Sequence, residues 1–371
     1  MSVLLVHLGF AASDEGEQTL LLARALRDAG REALLACPQE SPLAVAANDA
    51  DLPLVELENA DPGLSLGWTL NRLVRERGVR LIHTLEPRVL TTVALLRRRR
   101  RELRFVHTVL AASDKGKRLR GWSVRQIDAL VCAGTDVAAL ARAGGVEDTK
   151  IRVILPAARP PLPAGVPVGS VGGRSNDRFI FVAAGPLNPA ADHASLLQAM
   201  ACVQTMSIDD LPEWEVRIVG EGPLFGALLD SAEKLGVRDR LSLIGGQDRR
   251  VFLDAADAAV CCDVAGRNGV SVMLDAWNLG VPVACTTLEA HRDLGEDKIS
   301  VLFSPPTNPV ALAGSMLRLM QESALRERLV AGGRAALERF RPVRLGAEYA
   351  ALYDELLNAE PGASAVSSAD C

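Results

Sequence analysis

Apolar and polar positions alternate along this chain in two kinds of block. Over the first 155 residues there are seven short apolar runs, "VLLVHL" (3–8), "EALLA" (32–36), "PLVEL" (53–57), "VRLIHT" (79–84), "LRFVHTV" (103–109), "DALVCA" (128–133) and "KIRVIL" (150–155). Between them lie longer stretches, such as "EQTLLLARALRDAG" and "LGWTLNRLVRERG", whose apolar residues recur every three or four positions. The short runs predict strands buried on both faces, and the longer stretches predict amphipathic helices, the second stopped by a glycine after basic residues. Strand and helix in regular alternation predict βαβ units, and so a parallel sheet covered on both sides.

The pattern breaks at "PAARPPLPAGVPVGSVGGRSNDR" (156–178), which is rich in Pro, Gly and Ser and reads as a linker. It resumes with "RFIFVAAG" (178–185) and continues through "WEVRIVGEG", "RLSLIGG", "DAAVCCD", "VPVACTT" and "ISVLFSP". Two α/β domains are therefore expected, over 1–155 and 179–340, with a ligand cleft between them at the carboxyl ends of the strands. Residues 341–357 form a further amphipathic pattern, and 358–371 read as a polar, disordered tail. At 371 residues the chain is too long for one ordinary core, and it shows no repeat at a solenoid period.

Composition narrows this picture. Apolar residues make up 49% and charged residues 23%, a globular balance. No run approaches the roughly 18 apolar residues of a membrane span, and "MSVLLVHLGF" lacks the features of a signal peptide, so the cytoplasm is the expected compartment. The seven cysteines lie mostly in apolar runs without metal-ligand spacing, which predicts reduced core thiols and no metal. Net charge is −5, yet residues 88–125 hold twelve Arg or Lys against Glu102 and Asp114. That segment is either a solvated helix end or a patch that meets an anionic membrane surface or a phosphorylated lipid acceptor, placing the protein at the inner face of the membrane. Nucleic acid is not expected, since no binding motif accompanies the charge.

Two stretches carry candidate chemistry. "GRNGVSVMLDAWNLGVPVA" (266–284) reads as a glycine turn, a helix and a buried strand, an arrangement that directs a helix N-terminus at an anion. Its mouth carries Arg267 and no acid. "IVGEGPLFGALLDSAEKLG" turns on Gly220 and Gly222, which either let a ligand approach the backbone or simply make a tight βα turn.

Together with "LIGGQD", "SPLAVAANDADLPLVEL", "VRLIHTLEPRVL", "IDALVCAGTDVAALARAGGVEDTKIRVI" and "NPVALAGSMLRLMQESALRERLVAGGRAALERF", these stretches resemble, in kind and order, the family 4 glycosyltransferases of GT-B architecture. The resemblance implies two Rossmann-like domains facing across a cleft, the first for the acceptor and the second for a nucleotide-sugar donor. It implies a last helix that returns to the first domain, and transfer with retention to a cell-envelope or polysaccharide acceptor, without a metal. The donor-side positions it marks are Gly185, Gly220, Gly222, Arg267, Asn268, Gly269 and Asp275, with Asp275 as an acceptor of ribose hydroxyls; the acceptor-side ones are Gly16, Glu17, His83 and His107.

The chain departs from the family pattern at the reacting centre. Where a G-R-L-x-x-x-K-G pattern supplies two cations to the donor diphosphate, it has Pro186 and Ala191. Arg267 stands at the first glutamate of E-x7-E, Leu288 and Glu289 at a Gly-Gly loop, and Leu110 at the histidine of T-x-H. Loss of one preorganised charge costs about 10²–10³ in rate. A catalytically inactive homologue acting as a binding or partner subunit is therefore the alternative, unless Arg174, Arg178, Arg249, Arg250, Arg292 or above all Arg267 replaces the missing cations.

Overall fold

The computed structural model describes residues 3–10, 13–58, 60–111, 122–160, 178–206 and 211–359. The chain divides into two compact units, Met1–Ala157 with Arg341–Cys371, and Ala158–Phe340.

In the first unit, strands β1 (Val3–Val6), β2 (Ala33–Pro38), β3 (Leu54–Leu57), β4 (Leu81–Thr84), β5 (Arg104–Val109), β6 (Ala129–Cys132) and β7 (Ile151–Val153) form a parallel sheet in the order β3-β2-β1-β4-β5-β6-β7. Every residue of β1, β2, β4 and β6 is buried, which is why these strands read as unbroken apolar runs. Successive side chains feed opposite layers. Leu4 and Val6 pack under the Leu64–Glu76 and Leu90–Arg99 helices, while Val3 and Leu5 pack under the Asp14–Asp28 and Pro342–Asn358 helices.

The second unit repeats the plan with β8 (Phe179–Ala184), β9 (Trp214–Val219), β10 (Leu241–Ile244), β11 (Ala258–Cys261), β12 (Val283–Thr286) and β13 (Leu302–Ser304), parallel and ordered β10-β9-β8-β11-β12-β13. Both sheets are Rossmann-like. Strand order reverses between β1 and β4 in one and between β8 and β11 in the other, and the crevice at the carboxyl edge of such a switch point is where open α/β sheets take ligands.

The helix Pro342–Asn358 belongs to the first unit. It approaches the Asp14–Asp28 helix so closely that a Cβ on Gly346 would lie 2.4 Å from the carbonyl oxygen of Ala25.

The Pro-rich segment differs from a free linker at its start. Gln18 clamps the backbone of Ala157, donating to its carbonyl at 2.9 Å and accepting from its N–H at 3.0 Å, and Ala158 donates to the Phe340 carbonyl at 2.8 Å. Ala157 and Ala158 are buried. Residues 161–177 of that segment, 112–121 of the basic segment and 360–371 of the tail lie outside the described residues.

Candidate functional site

The switch point of the second unit is built from the loop after β8, the end of β11 and the helix Arg267–Leu279. Gly185 follows β8 with φ of 149°, and a side chain there would collide with Asn268, whose amide donates to the Ala184 carbonyl. A Cβ on Gly220 would lie 1.9 Å from the Gly185 carbonyl oxygen, and one on Gly222 would lie 2.5 Å from that of Leu187. These glycines let the loops after β8 and β9 interlock, so the space beside them is filled by the protein's own backbone. At the end of the loop Asp192 adopts φ of 47° where the family pattern has its closing glycine, and its carboxylate caps the His193–Thr205 helix at the Ser195 N–H.

The mouth of the Arg267–Leu279 helix does carry an acid. It is Asp263, buried just beyond β11, which accepts from the N–H groups of Asn268 at 2.8 Å, Gly269 at 3.0 Å and Ala265 at 2.7 Å. Two of the donors expected to meet an anion are thus already engaged. Gly269 faces the His291 ring, whose Nε2 would be 2.2 Å from an added Cβ, and His291 Nδ1 lies 2.7 Å from the Thr286 carbonyl. Burial pushes the His193 pKa down, against the opposing influence of the Gly185 backbone and of Asp192 and Asp263. The backbone of Arg267 opens the helix; its side chain lies outside what the structure describes.

Asp275 is buried and held in a cluster of guanidiniums rather than open to a ribose. Arg159 grips it with two hydrogen bonds, one of them from Nε to Oδ1 at 3.0 Å, and Arg249 Nε donates to Oδ2 at 2.6 Å. Asp248 stands 3.8 Å from Arg159 and binds Arg250 at 2.6 Å. Of the cations expected to replace the missing pair, Arg249 and Arg250 are therefore committed to carboxylates, Arg178 lies 3.5 Å from Glu215, and Arg174 is outside the described residues. Arg292 is exposed at the end of the short Glu289–Arg292 helix.

On the acceptor side, the structure packs both expected histidines into the first unit's core. His83 and His107 are buried and do not meet a ligand-accessible surface. His83 Nδ1 lies 2.6 Å from the Tyr353 hydroxyl and Nε2 2.8 Å from the Thr108 hydroxyl, which in turn lies 2.7 Å from that of Tyr349. These bonds fasten the last helix to the sheet. Burial lowers the His83 pKa to about 3 and that of His107, hydrogen-bonded to the Thr84 carbonyl at 2.9 Å, to about 4. Both are neutral imidazoles near pH 7.

The polar groups at the β1/β4 switch point are instead His7, Glu86 and Arg88. Glu86 accepts from the Leu8 N–H at 2.6 Å and from Arg88 Nε at 2.6 Å, and its carboxylate is 3.8 Å from His7 Nδ1. The His7 ring packs against Gly9 and Gly16, and the Gly16 N–H is capped by Ser13 at 3.1 Å. Glu17 occupies the same first helical turn. Burial lowers the His7 pKa; Glu86 opposes this and Arg88 adds to it. Glu86, Asp263 and Arg159 were not singled out by sequence reasoning. For the two acids the available signal was a carboxylate at the carboxyl end of a predicted strand, Asp263 closing the run "DAAVCCD" and Glu86 two residues after "VRLIHT".

Two Rossmann-like units in one chain, each with polar groups at its switch point and the last helix returned to the first, define the GT-B class of glycosyltransferase folds. A model of group 1 glycosyl transferases matches residues 170–336, and a model of glycosyl transferase 4-like domains matches residues 16–157. The chain belongs to this 4-like glycosyltransferase family.

It is similar to LpsD of Rhizobium meliloti, described as a lipopolysaccharide core biosynthesis glycosyltransferase, with 28% identity over 299 residues, 78% of this chain and 79% of that protein. A D-inositol 3-phosphate glycosyltransferase of Xylanimonas cellulosilytica is 29% identical over 228 residues, 57% of this chain and 53% of that one. Among solved structures, HepE of Anabaena in complex with UDP and glucose matches with a TM-score of 0.80 at 15% identity, over 96% of this chain and all of that one, a likeness of fold.

Proposed function

We propose that this protein transfers a sugar, with retention, from a nucleotide-sugar donor to a cell-envelope or polysaccharide acceptor. The observation that carries the reading is the order of the two family matches on two Rossmann-like units, the second of which opens a helix onto its β8/β11 switch point. The description of LpsD supports an envelope acceptor, and the UDP and glucose in HepE support a nucleotide-sugar donor. The donor lies at the loop 185–187 and the opening of the Arg267–Leu279 helix, where Arg267 stands in for the cations missing at Pro186 and Ala191. No metal is required, because Arg267 supplies the positive charge for the leaving diphosphate. The protein works at the cytoplasmic face of a membrane, with the basic segment 88–125 toward anionic lipid.

A second reading, a catalytically inactive homologue acting as a binding or partner subunit, is favoured by one observation: Asp275, the expected ribose contact, is already gripped by Arg159 and Arg249. Titration calorimetry with UDP-, GDP- and ADP-sugars separates these outcomes. Saturable binding of one donor is expected, and Arg267→Ala should weaken it more than tenfold. Absence of binding at millimolar donor contradicts sugar transfer and leaves the partner-subunit reading.

A further inference from the structure

Two of the helices that cover one face of the first unit carry more apolar surface than the core uses. Leu66, Leu70, Leu73 and Val74 of the Leu64–Glu76 helix, and Leu90, Val93 and Leu96 of the Leu90–Arg99 helix, point into the core. On the outer side, Leu64 is 93% exposed, Trp68 78% and Leu95 52%. These three side chains line one groove of about 630 Å³ between the helices, where Gly67 faces the Thr92 methyl. A volume of that size accommodates a small apolar ligand or a stretch of hydrocarbon chain.

The charges around the groove are ordered. Leu64, Trp68 and Arg72 fall on one helical stripe at intervals of four, as do Thr91, Leu95 and Arg99 on the other helix. Both helices link parallel strands and so run in the same direction, which sets an apolar zone beside a basic one on each. Arg88, Arg97 and Arg100 are paired with Glu86, Asp128 and Glu102. Among the described residues Arg72, Arg75, Arg98 and Arg99 have no carboxylate within ion-pair distance, and all four are exposed. These four cations therefore stand on the same two helices as the exposed tryptophan and leucines. Apolar side chains with a tryptophan at the level of free guanidiniums match a bilayer interface, where hydrocarbon and anionic phosphate lie a few ångströms apart.

We propose that this groove is a lipid-docking site, in which Leu64, Trp68 and Leu95 enter the headgroup–acyl boundary of an anionic bilayer while Arg72, Arg75, Arg98 and Arg99 meet lipid phosphates. The inference deepens the membrane reading above: attachment is by insertion as well as by charge, and it uses the Leu64–Glu76 helix, which lies outside the basic segment 88–125.

The test uses the full chain and vesicles of phosphatidylcholine with phosphatidylglycerol, in part brominated on the acyl chains. Wild-type protein is expected to sediment with them, to keep a bound fraction at 0.5 M salt, and to lose tryptophan fluorescence to the bromines. Trp68→Phe should still bind but lose most of that quenching, and Leu64→Ser with Trp68→Ser should lower affinity at least tenfold and abolish the salt-resistant fraction. Because these residues are exposed, the variants should melt as wild type does and retain donor affinity in calorimetry, which separates this inference from the donor reading. Binding by the double variant equal to wild type overturns insertion and leaves purely electrostatic attachment. No sedimentation with anionic vesicles, or equal sedimentation with pure phosphatidylcholine, overturns the docking site itself.

Discussion

Asp275 shows how a residue can keep its place in a pattern while its environment is rebuilt. Its carboxylate is buried between Arg159 and Arg249, so removing it strands two guanidiniums that are themselves largely covered. Breaking a buried ion pair from one side costs about 3–5 kcal/mol, and Asp275→Ala should lower unfolding stability in urea by about 3 kcal/mol. A loss below about 1 kcal/mol would show that the cluster is open to water. Arg159 could not be foreseen as its partner, because "PAARPPLP" carries the composition of a linker and the pairing spans 116 residues. Asp263 was hidden for a similar reason, since its capping of Asn268 and Gly269 depends on how the chain turns after β11.

The buried histidines make a pH prediction at the same scale. His83 and His107 titrate at about 3 and about 4 in the folded protein, against an ordinary value near 6.5 in the unfolded chain. Between those values the unfolded chain binds protons that the native state refuses. Their contribution is thus fully present above pH 6.5 and is lost as pH falls toward 4, at about 1.4 kcal/mol per pH unit for each proton. His7 and His193, also lowered, act with the same sign. Urea midpoints between pH 7 and pH 5 should fall accordingly, and His107→Gln should make the slope shallower by one proton. A slope unchanged by that substitution would contradict the assignment.

Among the elements, the strands were the most legible part of the chain. Each run read as a strand contains one; strands buried on both faces, such as β1, β2, β4 and β6, keep an unbroken apolar signature, while β3 and β7 are only partly covered. The last helix was equally legible as an element, but what fastens it was not: Tyr349 and Tyr353 reach Thr108 and His83 across more than 240 residues. Tyr353→Phe leaves the His83 nitrogen without its partner and should cost about 1–3 kcal/mol by chemical denaturation. Gly346→Leu meets the Ala25 backbone and should detach the helix more severely, seen as faster hydrogen exchange along Pro342–Asn358. Exchange at wild-type rates in that variant would contradict the close packing of the two helices.

For the molecule as a whole, architecture and reacting centre were legible to different degrees. Architecture follows from repeated patterning over the full length, which tolerates change at any one residue. The centre depends on a few side chains, and several of those the family pattern supplies are replaced here by Pro186, Ala191, Arg267 and Leu110. The structure adds that the helix mouth and Asp275 are already partnered from within the unit. Whether the remaining groups turn over a donor is read most directly by nucleoside diphosphate release from the donor that binds, with and without an envelope lipid and polysaccharide extract. Release that requires the extract, and that falls at least a hundredfold in Arg267→Ala, is the predicted result. Donor binding with no release above the uncatalysed rate in either condition would contradict sugar transfer and leave the protein a binding subunit.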